Sequence, residues 1–131
     1  MQRSNENMAV VEAFFAGLEA HDKDAALKGF DENAYWDTPS GGAFSGRLTG
    51  KPGLSRLVQL LLVSRPETQV VTDLTLHASG DRVFAEFTWA SMANSTGRPP
   101  TRSLAVFEVV FGKISAVREF EAGPPATQRN G

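Results

Sequence analysis

The distribution of apolar side chains changes character once along the chain, near residue 69. Before that point the spacing is helical. Val10, Val11, Phe14, Phe15 and Leu18 recur at intervals that build one face of a helix over residues 6–20. Ser4 or Asn5 is the expected cap, and Glu6 sits in the first turn, where the helix dipole favours a negative charge. His21-Asp22-Lys23-Asp24 breaks the pattern, and Asp22 is placed to cap a second short helix running to Phe30. Residues 35–38 predict an extended segment, and Pro39-Ser40-Gly41-Gly42 opens a loop that continues through Gly46 and Gly50. Pro52 suits the first turn of a third helix, where a missing N–H costs nothing. Leu54, Leu57, Val58 and Leu61 form its apolar face, and Pro66 marks its end.

From Gln69 onward the period is two. Residues 69–78, 82–92, 102–111 and 113–121 predict strands, rich in Val, Phe, Thr and Trp. Ser79-Gly80-Asp81 and Gly112-Lys113 are tight turns, residues 94–100 form a polar loop, and the tail beyond Gly123 frays. Helices first and strands second give an α+β chain, with helices packed on one face of an antiparallel meander. At 131 residues this is a single domain, with an ordered core over about residues 5–122.

Composition narrows the functional classes. No cysteine is present, which excludes disulfides and thiolate metal sites and makes a cytoplasmic setting the default. Thirteen basic against fifteen acidic residues provide no concentrated positive field for a nucleic-acid backbone. The apolar stretch from Leu57 to Val63 is interrupted by Gln59 and is too short to span a bilayer, so no membrane partner is expected. His21 and His77 stand far apart without ligand spacing, so no metal is expected. Gly41-Gly42 and Gly50-Lys51-Pro52-Gly53 lack phosphate-loop spacing, and no Gly-x-Ser-x-Gly motif occurs. No cofactor is therefore expected.

The run Phe30-Asp31-Glu32-Asn33-Ala34-Tyr35-Trp36-Asp37-Thr38-Pro39 resembles a segment of the SnoaL-like and nuclear-transport-factor-2-like superfamily. Gly50-Lys51-Pro52-Gly53-Leu54 is similar to the start of that family's third helix. Phe111-Gly112-Lys113-Ile114, followed by Arg118-Glu119-Phe120, is similar to its closing hairpin and last strand. The likeness spans about residues 8–122. It implies a cone-shaped curved antiparallel sheet with three N-terminal helices, enclosing an apolar pocket. That fold hosts isomerases, cyclases, hydrolases and proteins without chemistry.

Under this resemblance, Tyr35 and Asp37 share one strand face and Trp36 points the other way. Tyr35-Trp36-Asp37 resembles the water-holding pair of the epoxide hydrolases, with a carboxylate in place of an amide. In the ketosteroid isomerases the base is an aspartate just before a proline; here Thr38 intervenes between Asp37 and Pro39. The implied catalytic residues are Asp37 as base, with Tyr35 or Glu119 as partner. A buried base at Asp37 should titrate well above the reference near 3.9, and the alternative is a turn cap. The last strand places Val117, Glu119 and Glu121 on one face, and a carboxylate facing apolar walls suits proton transfer near neutral pH. The alternative for Glu119 is an ion pair with Arg118 or Arg102 at a dimer surface. Val83, Ala85, Phe87, Trp89 and Ser91 share a face of the second strand, matched by Ser103, Ala105, Phe107 and Val109 on the third. Phe87 and Trp89 stand where the hydrolases need an arginine and an aspartate, and Phe107 where the isomerases need an acid, so neither catalytic set is complete. Expected substrate contacts are Phe14, Phe87, Trp89, Phe107, Val117 and Glu121, around a small apolar or aromatic ligand. Leu104, Val106 and Val110 on the opposite face predict a homodimer. Three readings follow: a cofactor-free isomerase, cyclase or hydrolase, a binding module without chemistry, and an interaction domain. Tyr35, Asp37 and at least one of Glu119 and Glu121 are expected to line one cavity.

Overall fold

A computed structural model of the chain describes residues 2–38, 46–64, 71–89 and 101–121. In chain order the elements are α1 (Gln2–Glu19), α2 (Lys23–Leu27), β1 (Phe30–Thr38), β2 (Gly46–Thr49), α3 (Gly50–Ser64), β3 (Val71–Ser79), β4 (Arg82–Trp89), β5 (Thr101–Val110) and β6 (Lys113–Glu121). The strands form one sheet in the order β2-β1-β6-β5-β4-β3. Each neighbouring pair is antiparallel except β1 and β6, which run parallel. The sheet is therefore mixed, a correction to the all-antiparallel expectation.

The helical spacing read from the sequence is the spacing that buries. Val11, Phe14, Phe15 and Leu18 of α1 and Leu54, Leu57, Val58 and Leu61 of α3 are all buried against the sheet. The N-terminal cap is corrected: α1 begins at Gln2, so Ser4 and Asn5 lie inside it. Asp22 does cap α2, its Oδ1 accepting from Ala25 N at 3.1 Å. That helix ends at Leu27 rather than running to Phe30, which instead opens β1. Gly17 has a specific reason to be glycine: an added Cβ would sit 2.5 Å from the backbone nitrogen of Ala26, so the missing side chain lets α1 and α2 touch. Two polar ties fix α1 to the sheet. Asn7, itself buried, donates Nδ2–H to Gly80 O at 3.0 Å, and Glu19 Oε2 accepts from Val71 N at 2.9 Å.

Register defines two faces. Leu48, Trp36, Val117, Phe107 and Val83 lie side by side across β2, β1, β6, β5 and β4 and face the helices. The adjacent row, Arg47, Asp37, Arg118, Val106, Phe84 and His77, faces away. Register shifts interrupt β1–β6, β3–β4 and β5–β6. Such irregularities bend and twist a strand, which lets the sheet curve around α1. The β2 strand was not expected; it lies within what the sequence reads as loop. Residues 39–42, Ser91, residues 94–100 and the tail beyond Gly123 lie outside the described residues. Among the described residues no helix is long and apolar enough to cross a membrane, and no group of acidic or histidine side chains is arranged to hold a metal.

Candidate functional site

Four strands converge on one carboxylate. Glu119 lies near the end of β6, paired with Ala105 of β5, on the face that meets the helices. Its Oε1 accepts the indole N–H of Trp36 at 3.1 Å. Its Oε2 accepts the indole N–H of Trp89 at 2.6 Å and the hydroxyl of Ser103 at 2.8 Å. Trp36, Trp89 and Ser103 come from β1, β4 and β5 and are themselves buried, being 1, 6 and 2% exposed. Period two explains the convergence: each of these residues sits at an inward position of its strand, close to the same end of the sheet.

The donors matter as much as the acceptor. Two indoles and a hydroxyl are neutral, and among the described residues no cation pairs with Glu119. Glu119 itself is half-buried, and these hydrogen bonds replace part of the water that burial removes. An ionised carboxylate has about four acceptor positions. Oε2 uses two and Oε1 one, so Oε1 keeps a position to offer.

Beneath this group the aromatic residues pack on each other. Phe14 meets Trp36 at 5.6 Å and Phe107 at 5.9 Å between ring centroids. Trp89 stands perpendicular to Phe87 at 4.8 Å. Edge-on and tilted contacts of this kind add to area burial. Phe14, Phe87, Phe107 and Val117 are thus core residues that support the Trp–Glu cluster. Glu121, two residues past Glu119, is exposed.

Asp37 and Tyr35 lie elsewhere, and the expectation of one cavity shared with Glu119 is corrected. Both share a face, as parity requires, but it is the outer one. Asp37 pairs across β1–β6 with Arg118, whereas Trp36 pairs with Val117. The indole has more apolar area to bury than a phenol and a carboxylate, and Ala34 and Trp36 take the inward positions. Asp37 forms a two-point bond with Arg47, Oδ1 accepting from Nε at 2.7 Å and Oδ2 from Nη2 at 3.0 Å. The same guanidinium covers the Tyr35 ring at 3.8 Å from its centroid. The Arg47 hydrogen bonds hold the Asp37 carboxyl below its ordinary value, opposed by slight burial and helped by the charges of Arg47 and Arg118. That is the reverse of the upward shift expected of a buried base.

The sequence reading missed Trp36 and Ser103. The signal for Ser103 was present: it is the one hydroxyl in an otherwise apolar inward row with Ala105, Phe107 and Val109. Trp36 takes the inward position opposite in parity to Tyr35 and Asp37.

No curated protein matches this sequence. Solved structures do. Bal32a, from a soil-derived mobile gene cassette, is 23% identical with a TM-score of 0.72 over 91% of this chain and 91% of its own. A candidate polyketide cyclase from Xanthomonas campestris is 21% identical, TM-score 0.70, over 97% of this chain and 95% of its own. A candidate isomerase from Bacillus subtilis is 21% identical, TM-score 0.69, over 93 and 90%. At these identities the likeness is one of fold. Residues 11–117, most of the sequence, match the SnoaL-like domain, and the chain belongs to that family.

Proposed function

We propose that this SnoaL-like protein binds a small, largely apolar molecule beside Glu119, and that Glu119 accepts a proton from it in cofactor-free isomerase-, cyclase- or hydrolase-type chemistry. One observation carries the reading: a carboxylate on the inner, apolar face held by three neutral donors, with no cation opposite it among the described residues. Trp36, Trp89 and Ser103 act as positioning residues, and the aromatic cluster of Phe14, Phe87 and Phe107 is the apolar floor. Asp37, engaged by Arg47 on the outer face, has no part in this reading.

Binding without chemistry is the second reading, favoured by the three donors that already occupy most of the acceptor capacity of Glu119. Native mass spectrometry of protein purified under mild conditions is expected to show a small-molecule adduct. With that molecule in hand, Glu119→Gln is expected to keep binding while losing about a hundredfold or more in turnover. Unchanged turnover in the variant overturns the catalytic role. The reading also takes the chain as one domain that dimerises through its outer sheet face. Phe84, Leu104 and Val106 lie there, with Phe120 52% exposed. A monomeric mass in light scattering overturns the dimer.

A further inference from the structure

We infer that the end of the β5–β6 hairpin is a contact between two copies of this chain, in which Phe111 of each copy enters a groove beside the hairpin of the other.

Phe111 is anomalous in two ways. Val110 pairs with Lys113, so Phe111 and Gly112 form a two-residue hairpin loop, and both have positive φ, 51° and 77°. Loops of this kind favour Asn-Gly or Asp-Gly, and a bulky side chain in the left-handed region is an outlier because its Cβ crowds the backbone. The strain returns nothing to the fold. The ring is 100% exposed, and Val110 beside it is 47% exposed. An observed outlier of this sort points to a function outside the chain's own packing, and aromatic side chains are enriched at the centres of protein interfaces.

The same patch holds a place for such a ring. Phe111 lines a groove of about 630 Å³ together with Val10 of α1 and Val109 and Val110 of β5. Pockets of roughly 300–1,000 Å³ hold whole small molecules, so one aromatic side chain fits. Knob and hole are therefore contiguous on one surface, which is what a two-fold contact between identical chains requires.

The order of charges across the hairpin favours the same partner. Val109 N donates to Asp81 O at 2.8 Å, which sets Asp81 on the β5 flank. Ile114 N donates to Gly29 O at 2.8 Å and Lys113 Nζ to Lys28 O at 3.5 Å, which sets both lysines on the β6 flank. All three charged residues are exposed, so the line across the tip runs acid, ring, base. A two-fold axis through the ring position brings the acidic flank of each copy to the basic flank of the other. The Glu108 position, paired with Arg82 and Arg118, separates this patch from Phe84, Leu104 and Val106. The contact is thus distinct from a dimer through the outer sheet face.

Phe111→Asn tests the inference without risk to the fold, because asparagine before glycine is what this turn prefers. In dilute solution its chemical-denaturation midpoint is expected to rise. Sedimentation equilibrium from micromolar to submillimolar protein is expected to show the wild type doubling the mass of its smaller species. Its dissociation constant should be about tenfold or more below that of Phe111→Asn. The mass that remains in the variant reports the sheet-face contact alone, so the two interfaces stand or fall separately. p-Benzoylphenylalanine in place of Phe111 then locates the groove. Irradiation of mixed isotope-labelled and unlabelled chains is expected to join one kind to the other, at peptides carrying Val10 or Val109 and Val110. Equal association of wild type and Phe111→Asn, or cross-links confined to single chains, overturns the inference. So does a lower midpoint in the variant, which would mean that the ring serves its own fold.

Discussion

Glu119 and Asp37 are the same functional group one methylene apart in length, set on the two faces of one sheet. Asp37 faces outward, with a guanidinium locked onto both oxygens and its carboxyl group about one-third exposed. Glu119 faces inward, with both oxygens occupied by neutral donors from three other strands. The outer arrangement satisfies charge with charge in a place where water would have served nearly as well. The inner one satisfies hydrogen bonds and, among the described residues, has no ion pair. In this sheet, then, the described ion pairs lie on the outer face, and the inner carboxylate is held by neutral donors.

The comparison can be broken by substitution. The largest effect is expected for Trp36→Ala, which removes a buried ring and a Glu119 donor together: about 3–5 kcal/mol in chemical denaturation. Glu119→Ala is expected to follow at about 2–3 kcal/mol, because two buried indole N–H groups and a hydroxyl lose their acceptor. It should also move the tryptophan emission. Glu119→Gln keeps the shape but turns one acceptor into a donor facing a donor, and is expected to cost about 1–2 kcal/mol. Asp37→Asn should cost at most about 1 kcal/mol near neutral pH, as exposed ion pairs do, with tryptophan emission unchanged. A cost for Asp37→Asn equal to that of Glu119→Ala would remove the distinction between the faces.

The smallest effect is a pH dependence. The Asp37 carboxyl is held below its ordinary value by Arg47, so its folded form is the poorer proton binder. Its contribution to stability is therefore fully present above the unfolded value near 3.9 and is lost as pH falls through the lower folded one. Denaturation midpoints of wild type and Asp37→Asn are expected to converge across that acidic window. Divergence there would mean that the pair does not act as drawn.

Much of this was legible from the sequence, and the failures are specific. Four strands and the buried faces of two helices follow from spacing, because burial enforces period two or 3.6 on the side chains. The inner rows of β4 and β5 were read correctly, since Phe87, Trp89 and Phe107 agree on one face. On β1 parity placed Tyr35 and Asp37 together but had no means of choosing the face. Resemblance chose the polar pair, whereas the burial of Trp36 decided otherwise. Gly46-Arg47-Leu48-Thr49 is too short and too glycine-flanked to announce a strand, so Arg47, and with it the fate of Asp37, was invisible. Glu119 was a candidate, but its three partners depend on the register of four strands at once, which no local pattern contains.

The parallel pairing of β1 with β6 has a consequence for how the molecule is made. Trp36 and Glu119 are separated by 83 residues, and among the described elements the strand that carries Glu119 is synthesised last. Translation runs from the N-terminus, so β1 waits with one edge unpaired while everything between it and β6 is added. Loop closure of that length is slow compared with forming the β3–β4 and β5–β6 hairpins, which therefore precede it. A chain stalled before Lys113 leaves the edges of β1 and β5 open in addition to the outer edges of β2 and β3, with the Trp36 ring beside the first of them. For such a nascent chain, the nine-residue strand β6 covers the edges of both β1 and β5 and joins the two parts into one sheet.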